Sequence, residues 1–371
     1  MKGRRLLDVA ILGTRGIPAN YGGFETFAEH LSRRLVQRGH RVTVYCRNHY
    51  VEPRLDRLDG VRLRRLPAIR TKHLETISHT ALSVFDSFFR RFQVLLFCNA
   101  ANAFLCGLPR WTGRGVILNV DGIERLRRKW GSAGRFVYRA GERLATLLPS
   151  RIVADARTIQ EYYRREYGCD ARFIPYGAEV YRLESRTALD RLGLEPGGYL
   201  LYVSRLEPEN NAHLVAAAYI EARLQLPLVL VGDAPYATEY KRRLRVLASR
   251  GNILLPGAIY GRGYRELLSH CLCYVQATEV GGTHPALLEA MASRALVLYH
   301  DTPEHREVVG GAGLALRFDQ TAAAAACLRR VVEAPQEFDG LRLQAEERVR
   351  EHYDWEKVTD QYEALMYEVA G

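Results

Sequence analysis

The chain lacks any apolar run approaching the roughly 20 residues needed to cross a bilayer, so no segment of it reads as a transmembrane helix. Its start, MKGRRLLDVAILG, opens like a secretory signal. The apolar stretch is short, however, and runs into a glycine loop with no small-residue cleavage site, so we read it as a first β-strand and expect a cytoplasmic chain. The seven cysteines show neither CxxC nor Cys/His zinc spacing, which removes zinc modules and disulfide scaffolds from consideration. Cys46, Cys98, Cys106, Cys169, Cys271 and Cys273 lie scattered, mostly in apolar strand-like runs, as buried free thiols of a reducing compartment do. There is no low-complexity tract and no short-period repeat, which excludes a solenoid. Neither G-x-G-x-x-G nor a Walker A loop occurs, which argues against a NAD-dependent dehydrogenase and a P-loop enzyme. No Asp-x-Asp pair stands near a strand end, so no metal and no other cofactor is expected. The basic half carries no known nucleic-acid module, so nucleic acid is not expected as a partner.

What is present fits two α/β domains. The 371 residues, 47% hydrophobic and 26% charged, suit a globular chain of that size. The net charge of +11 is uneven: residues 1–178 hold 32 Lys+Arg against 15 Asp+Glu, and residues 179–371 hold 21 against 27. Such a first half is either an ordinary solvated surface or one that faces something anionic, such as a membrane leaflet or a phosphorylated acceptor. Within 123–143, arginines interleave with Trp130, Phe136 and Tyr138, a composition suited to an interfacial surface.

Strand and helix patterns alternate along the first half. DVAILG is a strand, Phe24, Phe27, Ala28, Leu31 and Leu35 recur at helical spacing, and RVTVYC, FQVLLFC, GVILNV, RIVAD and ARFIP are further strands, with helices including 74–91 and 135–148. The pattern restarts after Pro175-Tyr176-Gly177-Ala178 with GYLLYVSRL, LPLVLVGD, NILLPG, CLCYVQA and ALVLYH, separated by helices. Alternation of this kind gives parallel sheets covered on both faces. We therefore expect one domain of residues 1–178 joined by a returning C-terminal helix at 355–371, and a second of residues 179–354. Open α/β sheets bind ligands beyond the carboxyl ends of their strands, so a cleft between two such edges is the expected place of chemistry.

Three loops carry it. Residues 13–23 join the first strand to the first helix, and Gly22-Gly23 before a helix would let backbone amides approach a phosphate. Residues 204–211 follow the first strand of the second half, where Arg205 suits a diphosphate or, alternatively, pairs with Glu207 or Glu209 on the surface. Residues 279–289 follow CYVQA. There Thr283 is expected as a helix N-cap with Pro285 in the first turn, while Glu279 and Glu289 could accept sugar hydroxyls. Asp121, before Gly122, ends the strand GVILNV. His79 and His284 are candidate bases or structural histidines.

Taken together these residues resemble family 4 of the retaining glycosyltransferases of GT-B fold. The resemblance rests on the Gly-Gly loop, the Gly39-His40-Arg41-Val42 turn, Ile174-Pro175-Tyr176-Gly177, Ser204-Arg205-Leu206, the Leu287-Leu288-Glu289-Ala290-Met291 helix and the final Trp355-Glu356 helix. More narrowly, Gly13-Thr14-Arg15-Gly16-Ile17-Pro18-Ala19, Asn119-Val120-Asp121-Gly122-Ile123-Glu124, Arg205 to Asn211 and Gly281-Gly282-Thr283 are similar to bacterial rhamnosyltransferases of polysaccharide assembly. The resemblance implies two Rossmann-like domains facing across a cleft and a nucleotide-diphosphate sugar donor. It also implies a carbohydrate acceptor, and the basic aromatic stretch 123–143 would be explained by a lipid-linked diphosphate acceptor at the inner face of the plasma membrane. It implies catalytic roles for Glu279, Arg205 and Asp121, donor contacts from Gly22, Gly23, Arg205, Gly282, Thr283 and Glu289, and an acceptor side with Arg15 and Asp121. Two departures stand out. The family's usual glutamate pair is closer together than Glu279 and Glu289, which have nine residues between them, and its usual spacing would put the first at Gly281. The lysine usual after the arginine is Asn210 here, and Arg15 is a candidate to supply the missing charge. A non-catalytic sugar-nucleotide or membrane-binding protein and a sugar-nucleotide epimerase are the rival expectations.

Overall fold

The computed structural model describes residues 5–20, 22–71, 74–122, 132–234 and 237–371, without the side chains of 132–137. The chain divides into two compact units, Met1–Tyr176 with Trp355–Gly371, and Gly177–Asp354.

The first unit runs β1 (Asp8–Leu12), α1 (Gly23–Gln37), β2 (Arg41–Arg47), β3 (Arg57–Leu58), β4 (Val61–Leu66), α2 (Glu75–Ser87), β5 (Val94–Cys98), α3 (Gly107–Trp111), β6 (Gly115–Val120), α4 (Ser132–Ala145), β7 (Arg151–Ala154), α5 (Arg157–Tyr167) and β8 (Arg172–Phe173). Its strands form one sheet in the order β3-β4-β2-β1-β5-β6-β7-β8. Among the described residues only the β3–β4 pair is antiparallel. The central strands are apolar on both faces, as helix-covered parallel strands must be: β5 and β6 are buried at every residue.

The second unit runs α6 (Thr187–Leu192), β9 (Leu200–Val203), α7 (Ala212–Ala222), β10 (Leu228–Val231), α8 (Thr238–Ala248), β11 (Ile253–Gly257), α9 (Gly261–His270), β12 (Cys273–Gln276), α10 (Pro285–Ala292), β13 (Leu296–His300), α11 (Pro303–Val309), β14 (Leu314–Leu316), α12 (Thr321–Glu333) and α13 (Asp339–His352). Its all-parallel sheet has the order β11-β10-β9-β12-β13-β14. The chain then returns to the first unit as α14 (Trp355–Ala370), which buries Trp355, Val358, Tyr362, Leu365 and Met366.

Both sheets reverse direction beside their first strand. The chain walks from β1 to β2 and β4, then resumes at β5 on the other side of β1. It walks from β9 to β10 and β11, then resumes at β12 on the other side of β9. A reversal parts the outgoing loops and opens a crevice beyond the carboxyl ends of the two adjacent strands. The architecture is two parallel-sheet α/β domains. Among the described residues no helix is long and apolar enough to cross a membrane.

Candidate active site

In the second unit the crevice lies beyond β9 and β12, and the loops leaving these strands are tied to each other. Tyr202 of β9 donates its hydroxyl to the Asn210 carbonyl at 2.6 Å, and the Asn210 amide donates to the Arg205 carbonyl at 2.7 Å. Asn211, in the left-handed region at φ 60°, donates to the Ala277 carbonyl and to Glu279 Oε1, both at 3.0 Å. The Glu279 amide donates to the Glu209 carbonyl at 3.2 Å. Arg205 and Glu279 are thereby set on one stitched platform. Asn210 is buried, and its side chain braces the loop from within; the position where a second cation was expected is thus part of the frame.

The Arg205 guanidinium remains one-third exposed, and Glu207 Oε2 stands 3.7 Å from it. That separation is beyond a hydrogen bond, so the surface pairing with Glu207 foreseen as the alternative is a loose ion pair. A second alternative partner, Glu209, is buried.

The expected cap at Thr283 is corrected. Thr283 is buried ahead of the helix, the N-cap is His284 with extended backbone and no side-chain cap bond, and Pro285 takes the first helical position. Proline there displaces the cap by one residue, because its fixed φ suits the first turn. Gly281 stands against the His284 imidazole: a Cβ at 281 would come within 2.4 Å of that ring. A glutamate at the usual family spacing would have to displace it. His284 in turn lies 5.0 Å from the His305 ring. His305 is buried, donates Nδ1–H to the His300 carbonyl at 2.7 Å, and is pushed down to about 4, first by burial. Gly282, between Gly281 and Thr283, is buried.

Glu289, half-buried on α10, accepts from the Tyr264 hydroxyl of α9 at 2.6 Å. Burial, then the Glu289 charge, drives the Tyr264 phenol far above its ordinary range, and the same two influences raise Tyr181. Glu289 is thus a carboxylate oriented by the Tyr264 phenol, an acceptor set for hydroxyl groups. Tyr264 and Tyr181 were not foreseen; no spacing rule links position 264 to 289.

In the first unit the 13–22 loop leaves β1 between β2 and β5. Gly13 (φ 87°) and Gly16 (φ 122°) are held where a Cβ would meet the Cys98 carbonyl oxygen at 2.4 Å and the Cys46 sulfur at 2.7 Å. Glu25, buried in the first turn of α1, accepts from the Arg15 amide at 2.8 Å, and Glu29 accepts from the Ala19 amide at 2.6 Å. Gly22 is the extended N-cap, Gly23 begins the helix, and a Cβ on Gly22 would sit 3.1 Å from Glu25 Oε2. A carboxylate already stands beside this helix terminus, which disfavours a phosphate there and suits a hydroxyl-bearing group.

The Arg15 guanidinium lies over the Tyr50 ring at 4.9 Å. Behind it, buried Arg47 reaches Glu75 at 3.1 Å and donates to Thr76 Oγ1 at 2.9 Å, and His49 bonds Glu75 at 2.7 Å. This cluster was also missed, since its members come from β2 and α2. Asp121, half-buried at the end of β6, lies near Tyr176 and Cys98: burial raises both groups and the Asp121 charge adds to it. Its neighbour Gly122 has φ 66°. His79 is fully buried on α2. Residues 123–131 of the basic aromatic stretch lie outside the described residues. Among the described residues, no group of three or more His, Cys, Asp or Glu stands where it could hold a metal ion.

Comparison with known proteins gives this geometry a family. No curated protein sequence matches the chain. Several solved structures share its fold. Sucrose-phosphate synthase from Thermosynechococcus elongatus matches with a TM-score of 0.82 at 17% identity, over 98% of each chain. Anabaena HepE, solved with UDP and glucose, matches with a TM-score of 0.80 at 15% identity, over 98% of this chain and 100% of that one. A glycosyltransferase from Rickettsia africae matches at 0.76 and 12% identity, over 99% of each chain. These likenesses establish the two-domain GT-B fold. Residues 21–182 match the family model Glycosyltransferase Family 4, and residues 197–334 match Glycosyl transferases group 1. The chain is a glycosyltransferase of GT-B fold, a family 4 domain followed by a group 1 domain.

Proposed function

We propose that the protein is a retaining hexosyltransferase that moves a sugar, with rhamnose as the first candidate, from a nucleotide-diphosphate donor to a saccharide or lipid-linked acceptor of cell-surface polysaccharide. The second unit handles the donor and the first the acceptor, and the enzyme works at the inner face of the plasma membrane. The observation that carries this reading is the joining of Arg205 and Glu279 on stitched loops at the β9/β12 reversal, with Glu289 oriented by Tyr264 on the helix that follows. HepE, whose structures hold UDP with glucose and UDP-glucose, lends the donor class its support.

In this reading Glu289 accepts the two ribose hydroxyls, Arg205 and the α10 terminus around Gly282 and Thr283 meet the diphosphate, and Glu279 faces the transferred sugar. Gly22, Gly23, Arg15 and Asp121 meet the acceptor or the sugar. The bond from the anomeric carbon to the diphosphate oxygen breaks as the acceptor oxygen bonds to that carbon on the same face. The acceptor proton passes to the departing phosphate oxygen. Charge on the leaving diphosphate is met by Arg205, which is electrostatic catalysis, and holding the two reactants together supplies much of the remaining acceleration.

The test is thermal denaturation with dTDP-rhamnose, UDP-glucose and GDP-mannose, followed by turnover of the stabilising donor. A donor at 100 times its Kd adds about 2.7 kcal/mol, so one donor should raise the melting temperature selectively. Arg205→Ala should then lower kcat by about 10²–10³ if the guanidinium acts chiefly on the leaving group. A silent donor panel, or an unchanged kcat/KM in the variant, would overturn these assignments.

A further inference from the structure

Helix α2 is built inside out. Its buried face carries His79, Thr80, Ser83 and Ser87 beside Val84. Thr80, Ser83 and Ser87 fold their hydroxyls back onto the helix's own carbonyls of Thr76, His79 and Val84 at 2.8, 2.8 and 2.6 Å, so each of these hydroxyls donates within its own helix as the face packs inward. Large apolar residues point outward instead: Leu82 and Phe85 on the helix and Phe89 in the turn just after it, with Phe85 62% and Phe89 77% exposed and their rings 5.3 Å apart. A water-facing helix carries its polar face outward. Left in water these side chains gain nothing from folding, and an exposed apolar patch of this kind marks an interaction surface.

A second stripe lies alongside. Phe104 lies in the 3-10 turn Ala100–Leu105 that packs against α2, and Leu108 and Trp111, the last 75% exposed, follow it on α3, which packs on that turn. Arg114 joins the two. It lies over the Phe88 ring at 5.2 Å and donates to the Arg90 carbonyl and Ser87 Oγ, while its amide donates to the Pro109 carbonyl. The rim is cationic. Arg90, Arg91 and Arg110 are exposed, and the carboxylate at this end of α2, Asp86, is already held by Arg64, Arg90 and Tyr45.

We propose that Leu82, Phe85 and Phe89, together with Phe104, Leu108 and Trp111, dock the first unit on an anionic bilayer surface, the rings entering the headgroup layer and the arginines meeting lipid phosphates. Aromatic side chains ringed by arginine match that interface in both polarity and charge. A second copy of this chain matches it poorly: two-fold contact through the patch would set its arginine rim against the same rim of the other copy, with Asp86 already engaged. The proposal deepens the membrane part of the function read above and names its surface. It does not depend on donor identity.

The experiment is flotation of the full chain with vesicles of phosphatidylcholine alone and of phosphatidylcholine mixed equally with phosphatidylglycerol. Wild type should float with the mixed vesicles and stay behind with phosphatidylcholine. F85S/F89S should bind about a hundredfold more weakly, about tenfold for each ring kept out of the headgroup layer, at an unchanged melting temperature. R90E/R91E should lose binding as well, and salt should weaken the wild type. Equal flotation of F85S/F89S and wild type would overturn the proposal, as would no flotation of wild type. A concentration-dependent dimer that F85S/F89S abolishes would assign the patch to a second copy instead. Donor-induced stabilisation, read on the same preparations, judges the donor site separately.

Discussion

His79 is buried on α2 near Arg47, His49 and Glu75, and its imidazole is pushed down to about 4, first by burial and then by the Arg47 charge. The fold therefore holds it neutral, whereas the unfolded chain protonates it near pH 6.5. Between those values the unfolded state binds more protons, so stability is complete above pH 6.5, falls as pH drops towards 4 and levels below that. The loss amounts to about 3 kcal/mol. His79→Gln keeps polar atoms and removes the titration, so its melting temperature should fall less steeply than the wild type's across pH 6.5 to 4. Parallel curves would show that another group governs this window. His305 shifts alike and is present in both proteins, so the difference isolates His79. From sequence, His79 was open as a base or as a core residue, because a lone histidine at helical spacing reads the same either way. Its burial comes from an inside-out helix, which an apolar periodicity reports with the wrong face. Tyr264 was invisible for another reason: its hydrogen bond to Glu289 spans two helices, and no local pattern encodes it.

Elements were more legible than contacts. The strands DVAILG, RVTVYC and CYVQA follow from apolar runs, which local physics decides, whereas the reversal of strand order depends on pairings across the sheet. Loop ends are set by neighbours instead. Gly232 illustrates this. It ends β10 at φ 148°, and a Cβ there would stand 1.8 Å from the Ser204 carbonyl oxygen, one residue before Arg205. Backbone cannot yield as a flexible side chain does, so Gly232→Ala must push the 204–211 loop. A cost of roughly 3 kcal/mol is expected, together with loss of donor-induced stabilisation. Gly193→Ala is the control: it has φ 66° and nothing within 4 Å of a Cβ, so only backbone strain of about 1 kcal/mol remains and the donor response is kept. If both variants respond alike to donor, the Gly232–Ser204 contact does not position Arg205.

At the scale of the whole molecule the two units differ in one respect that can be tested: the second is a continuous segment and the first is not. The first unit's core is completed by α14. The Tyr362 hydroxyl accepts from the Asn119 amide at 2.7 Å, the Phe27 ring lies 5.1 Å from Tyr362, His30 stacks on Trp355 at 4.9 Å, and buried Glu363 bonds both Arg38 and His40. Burying five large apolar side chains of α14 contributes on the order of 10 kcal/mol, comparable to the whole net stability of a domain. Residues 1–176 alone should therefore fail to melt cooperatively. Residues 177–354 alone should fold, since their own core has no gap in the chain and their ends meet, the Ala178 amide donating to the Tyr353 carbonyl at 2.8 Å. Tyr176 and Trp355 both pack on Phe27, at 5.4 and 6.4 Å, so a short Gly-Ser linker joining them should restore the first unit in one chain. Circular dichroism and thermal melts of the three proteins decide it. A cooperative transition in 1–176 alone would mean that the first core closes without its returning helix, and that α14 fastens a unit already folded.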